Sequence, residues 1–166
     1  MLNADELLIA ERLNRDFFNP SALFELGKLF HARGLHGLST VLESAAIDAR
    51  TMEGLPFPEA MLVMGACYKA VGHRSFAEQI WLDALKDETL PEGRAQILHN
   101  LSGIALNDGR PEVALRYADE ALVAQPGHRG AEANFKARLP PNWKSWEKLL
   151  RPDVSWLILS CKPLPA

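Results

Sequence analysis

"HNLSGIALNDGRPEVALRYADEALVAQP", residues His99 to Pro126, reads as two helices joined by a turn. Leu98, Leu101, Ala105 and Leu106 recur at helical spacing. Asp108-Gly109 ends that run, with the glycine supplying a left-handed cap. Pro111 stands where the first turn of a helix tolerates proline. Val113, Ala114, Tyr117, Ala118, Ala121 and Leu122 form the next apolar stripe, and Pro126 closes it. Ser102, Ala114, Ala118 and Ala121 are small enough to let two helices approach closely. One such pair cannot bury its own apolar face, so the stretch predicts companions.

The companions lie upstream. In "AMLVMGACYKAVGHRSFAEQIWLDAL", residues 60–85, Gly65 takes the place of Ser102, Tyr68 of Ala105, Gly72 of Gly109, Ala77 of Ala114, and Ala84-Leu85 of Ala121-Leu122. In "ALFELGKLFHARGLHGLSTVLESAAI", residues 22–47, Gly27, Phe30, Gly34, Ser39 and Ala46-Ile47 fill the same columns. Asn19-Pro20 reads as an N-cap followed by proline at the first helical position. Ser75 with Glu78 reads as a capping box. The units start near Pro20, Pro58 and Ala95, a period of about 37 to 38 residues that predicts a solenoid of helix pairs.

These columns resemble tetratricopeptide repeats. They read Leu26-Gly27, Phe30, Gly34, Ser39, Ala46-Ile47; then Met64-Gly65, Tyr68, Gly72, Ala77, Trp81, Ala84-Leu85; then Leu101-Ser102, Ala105, Gly109, Ala114, Ala121-Leu122, Pro126. The resemblance covers about residues 20–128. It implies an all-α fold, a right-handed α-α superhelix of three helix pairs with extra N- and C-terminal helices. Thr51 and Thr89 depart from the pattern, standing where a closing proline belongs. The extra residues of the long period, around Met52 to Phe57 and Leu90 to Glu92, are expected in longer loops between repeats.

The resemblance also implies a binding surface, a concave groove lined by the first helix of each pair. Its columns hold Phe24, Lys28, His31, Leu62, Lys69, His99, Asn100, Leu106 and Asn107, the candidate partner-binding residues. Family members that clasp a carboxylate terminus place Lys, Asn and Arg in such columns. Here Phe24 and Leu62 stand where a charge or amide is wanted, so that activity does not carry over. An apolar-plus-amide lining suits an amphipathic segment, with Asn100 on its backbone and Phe24, Leu62 and Leu106 on its side chains. A core role for Phe24 and Leu62 is equally open.

Composition narrows the classes. The 166 residues are 48% apolar and 23% charged, as in an ordinary globular domain. Net charge is −3, but residues 129–151 carry +4 and the first 128 residues −7. An acidic body argues against a nucleic-acid partner. The longest apolar runs, such as Ala60 to Cys67, are too short to span a bilayer, so no membrane insertion is expected. The start, Met1-Leu2-Asn3-Ala4-Asp5-Glu6, lacks the basic region of a signal peptide. Cys67 and Cys161 make no disulfide framework, and with no leader they point to a cytoplasmic location.

Catalytic motifs are absent: there is no Gly-rich phosphate loop, HExxH, CxxC or GxSxG. Ser145 and Lys148 form an S-x-x-K string of the kind chance supplies. The five histidines are scattered along the chain without Cys or carboxylate at ligand spacing, so neither metal nor other cofactor is expected. Cys67 reads as core.

Outside the repeats, Asn3 to Asp16 reads as an amphipathic cap, opened by Asn3 with Glu6. His128 to Arg138 reads as a closing helix. The expected division is 1–18 cap, 19–138 repeats with their solvating helix, and 139–166 a Trp-rich tail with Trp143, Trp146 and Trp156. So much apolar surface is expected to dock on the last repeat, in the groove, or on a second copy as a homodimer. Three functions fit: a non-catalytic scaffold holding a protein or peptide; a dedicated chaperone, similar in layout to type III translocator chaperones; or the repeat region of a larger enzyme such as a glycosyltransferase.

Overall fold

The computed structural model describes residues 4–87 and 90–137. The Trp-rich tail, the S-x-x-K string, Cys161 and Asn3 lie outside the described residues. Among the described residues there are eight helices and no strand. They are α1 (Ala4–Arg15), α2 (Pro20–Ala32), α3 (His36–Met52), α4 (Pro58–Ala70), α5 (Arg74–Asp87), α6 (Pro91–Asn107), α7 (Pro111–Ala124) and α8 (Arg129–Ala137). The described fold is all-α, and its helices pack in pairs, α2 with α3, α4 with α5 and α6 with α7.

The described helices form two compact units. The first holds α1 to α5. There α2 packs on α3 and α4 on α5, while α3 and α2 both meet α4 and α1 covers α2. The second holds α6 to α8, with α6 on α7 and α8 against both.

The turns within pairs follow from the glycines. Gly34, Gly72 and Gly109 have φ of 75°, 90° and 71°, a region that side chains with a Cβ rarely enter. At the start of α2, Asn19 caps as expected, its side chain accepting from the Ala22 N–H at 2.9 Å. Prolines open α2, α4, α6 and α7.

Two expected boundaries move. The third unit starts at Pro91 rather than Ala95, so α6 runs 17 residues against 13 for α2 and α4. Its extra residues extend a helix by a turn, and Pro91 and Glu92 are not in a loop. A proline and an acid at the front suit a first turn better than a linker. Helix α5 starts at Arg74, which puts Ser75 inside the first turn and not at the cap. Its first hydrogen bond comes from the Ala77 N–H to the His73 carbonyl. Glu6 is buried, and its carboxylate pairs with Arg33 just past α2; the Asn3 half of the expected capping box lies outside the described residues.

Each pair closes at its small-residue column, with three different solutions. In the third pair, Ser102 Oγ donates to the Ala114 carbonyl at 2.9 Å. In the first pair the roles swap, and Ser39 Oγ donates across to the Gly27 carbonyl at 2.8 Å. In the second pair Trp81 lies flat against Gly65 and donates from Nε1 to the Leu62 carbonyl at 3.0 Å. A Cβ built on Gly65 would stand 2.3 Å from Trp81 Nε1, so only glycine admits the ring.

The two interiors differ in kind. Ile97, Leu98, Leu101, Ile104 and Phe135 are fully buried in the second unit. The first unit buries mostly small residues around Trp81, together with Ser39, Cys67 and Glu43. Glu43 stands one repeat before Trp81 in its column, so a carboxyl fills an aromatic's slot.

Candidate functional site

The first unit gathers its polar interior where α2 turns into α3 and both meet α4. Gly34 reverses the chain between His31, in the last turn of α2, and His36, the first residue of α3. Their Nδ1 atoms come within 3.3 Å of each other. Cys67, fully buried on α4, brings its Sγ to 3.2 Å from His31 Nδ1. The three potential ligand atoms all lie within 4.8 Å of one another. Behind them Cys67 donates to Ser39 Oγ at 3.2 Å, and Ser39 is committed in turn to the Gly27 carbonyl.

Electrostatics follow burial. Removal from water lowers the His31 pKa, and the neighbouring His36 lowers it further. Burial pushes the Cys67 thiol up, partly offset by its hydrogen bond to Ser39. Glu43 is fully buried, and neither carboxylate oxygen has a hydrogen-bond partner among the described residues. Burial raises its pKa to about 8, with Lys28 opposing and Glu25 reinforcing the shift. At neutral pH this carboxyl is mostly protonated.

The expectation of histidines without a nearby cysteine is therefore corrected for His31 and His36. Their distance from Cys67 is 36 and 31 positions in sequence, which conceals the contact. The repeat register contained a signal. His31 corresponds to Lys69, so Cys67 stands two residues from the equivalent place on the next first helix. Stacked first helices bring such positions together.

The other candidate groove residues are placed differently. Phe24 is half-buried, with its ring 5.1 Å from that of Phe57 and Lys28 Nζ 4.8 Å from its centroid. Lys28 also pairs with Glu25 at 2.8 Å. Arg50 covers the far ring, 5.6 Å from the Phe57 centroid, so cations flank two rings tilted 57° to each other. Leu62 is half-buried, and Lys69 Nζ lies 6.0 Å from the Trp81 ring. In the second unit, His99 lies under α8. Its ring is 5.4 Å from that of His128, and Asn134 Nδ2 lies 3.1 Å from its Nδ1. Asn100 and Leu106 are half-buried, and Asn107 is exposed. Thus Phe24 meets Lys28, whereas His31 joins the cysteine cluster and His99 is covered by the closing helix.

A surface that column matching overlooked lies at the turns of the first unit. Leu35 and Leu38, just after the α2 turn, are 46% and 53% exposed. Val71 and Phe76, around the α4 turn, are 52% and 61% exposed. Leu38 and Phe76 occupy the same repeat position, as do Phe30 and Tyr68. Tyr68 and Phe76 stack at 5.8 Å, with His73 edge-on to Phe76 at 6.1 Å. The contact between His31 and Cys67 shows that these two turns lie at the same end of adjacent pairs.

No protein-family model matches the chain, and no curated protein gives a significant match. No described helix is long and apolar enough to cross a membrane.

Proposed function

We propose that this chain is a non-catalytic, tetratricopeptide-like scaffold that holds an amphipathic segment of a partner protein. The observation that supports this reading most is the repeated apolar edge of the first unit. Two adjacent pairs leave Leu35, Leu38, Val71 and Phe76 uncovered at corresponding turns. Exposed apolar side chains grouped in this way mark interaction surfaces, because removing them from water contributes about 25 cal/mol per Å² against the entropic cost of association. The acidic body favours a partner segment with basic residues among its apolar ones. Phe24 and Lys28 supply a secondary contact on the first helix face, in keeping with the groove columns.

The test is affinity capture from the source cell, with the full chain and a Leu38→Glu, Phe76→Glu double variant. Both positions are more than half exposed, so the variant should keep its helical circular dichroism. A protein retained by the wild type and lost from the variant supports the reading. A protein retained equally by both, or none retained by the wild type, overturns it.

A further inference from the structure

We propose that His31, His36 and Cys67 form a binding site for a tetrahedral transition-metal ion of the zinc class, which straps the first helix pair to the second. The inference is independent of the scaffold reading. Four-coordinate zinc lies about 2.0–2.1 Å from nitrogen and about 2.3 Å from sulfur, which sets ligand separations of about 3.3 Å for N···N and about 3.5 Å for N···S. The two Nδ1 atoms are 3.3 Å apart, and His31 Nδ1 is 3.2 Å from Cys67 Sγ. The third edge lies within 4.8 Å, a span that small side-chain rotations close.

Hydrogen bonding alone satisfies this cluster poorly. One proton at most fits between the facing Nδ1 atoms, and the thiol proton is directed to Ser39. With both rings protonated at Nε2, the Nδ1 lone pairs of two imidazoles and those of one sulfur converge on one region, the arrangement a cation satisfies. Two nitrogens and a thiolate form a donor set that suits zinc over magnesium or calcium. On metal binding Cys67 gives up the proton it donates to Ser39, and the Ser39 hydroxyl then turns from the Gly27 carbonyl to donate to the thiolate. His31 and His36 are half-exposed, which gives the ion a path in and leaves the fourth position to water. The ligands come from the end of α2, the start of α3 and the last turn of α4, so one ion ties three helices.

The experiment loads the chelator-treated full chain with Co(II), a spectroscopic probe for zinc sites. The expected result is one Co(II) per chain, with a thiolate-to-metal charge-transfer band that zinc bleaches. The band should persist in Cys161→Ser and vanish in Cys67→Ser. His36→Ala should weaken binding at least tenfold and abolish the rise in melting temperature that zinc gives the wild type. Should Cys67→Ser fail to fold, the half-exposed His36 variant decides. A missing band, a band lost in Cys161→Ser, or one unchanged in His36→Ala overturns the proposal.

Discussion

Replacing Glu43 by Gln should flatten the pH dependence of stability and strengthen the protein in mildly alkaline solution. The side chain is fully buried between α2 and α3, with a Cβ position at Gly27 only 2.3 Å from its Oε1. Burial raises its pKa from an ordinary 4.5 to about 8. The folded state thus binds a proton more tightly than the unfolded chain does. Stability from this group is fully present below pH 4.5 and is lost as pH rises through about 8. At 1.36 kcal/mol per pK unit, the loss between about pH 5 and about pH 8 is ~3 kcal/mol. Gln has the same shape and no proton to lose. In urea melts followed by circular dichroism, with chelator present, the two chains should differ by less than about 1 kcal/mol at about pH 5. The gap should open by ~3 kcal/mol in favour of Glu43→Gln at about pH 8. Parallel pH profiles, or a wild type that gains on the variant as pH rises, would refute the buried-carboxyl argument.

Gly65→Ala should destabilise the second pair by about 1–3 kcal/mol, because its Cβ meets the Trp81 ring; a lower melting temperature, largely restored by adding Trp81→Leu, checks the register. Asn19→Ala should cost about 1 kcal/mol by leaving the Ala22 N–H without its cap, read as a shift in urea midpoint. Ser102→Ala removes the Ser102–Ala114 bond inside a packed interface and should cost about 1–3 kcal/mol, because the carbonyl it leaves behind stays buried.

The helix pairs were legible because their signals are local. Gly34, Gly72 and Gly109 mark turns, Pro111 and Pro58 open helices, and Gly65 predicts close approach from its column alone. Glu43 carries no such signal. Its helical position matches Trp81, but only packing shows that a carboxyl occupies the interior. The groove columns place residues on a helix face without saying what covers them. That is why His99 is found beneath α8 and His31 against Cys67. The apolar turn edge escaped column reading for the opposite reason. Leu38 and Phe76 match an apolar stripe, and periodicity does not separate a side chain that finds a neighbour from one left in water.

The central claim, that this chain works by holding a partner at the turns of its first unit, is tested most directly by hydrogen exchange. Amide exchange of the full chain is compared alone and with its captured partner. The account predicts slowed exchange in residues 33–41 and 70–77 on binding, with smaller changes in the second unit. Protection confined to α6 to α8, or a complex with no change at either turn, would contradict it.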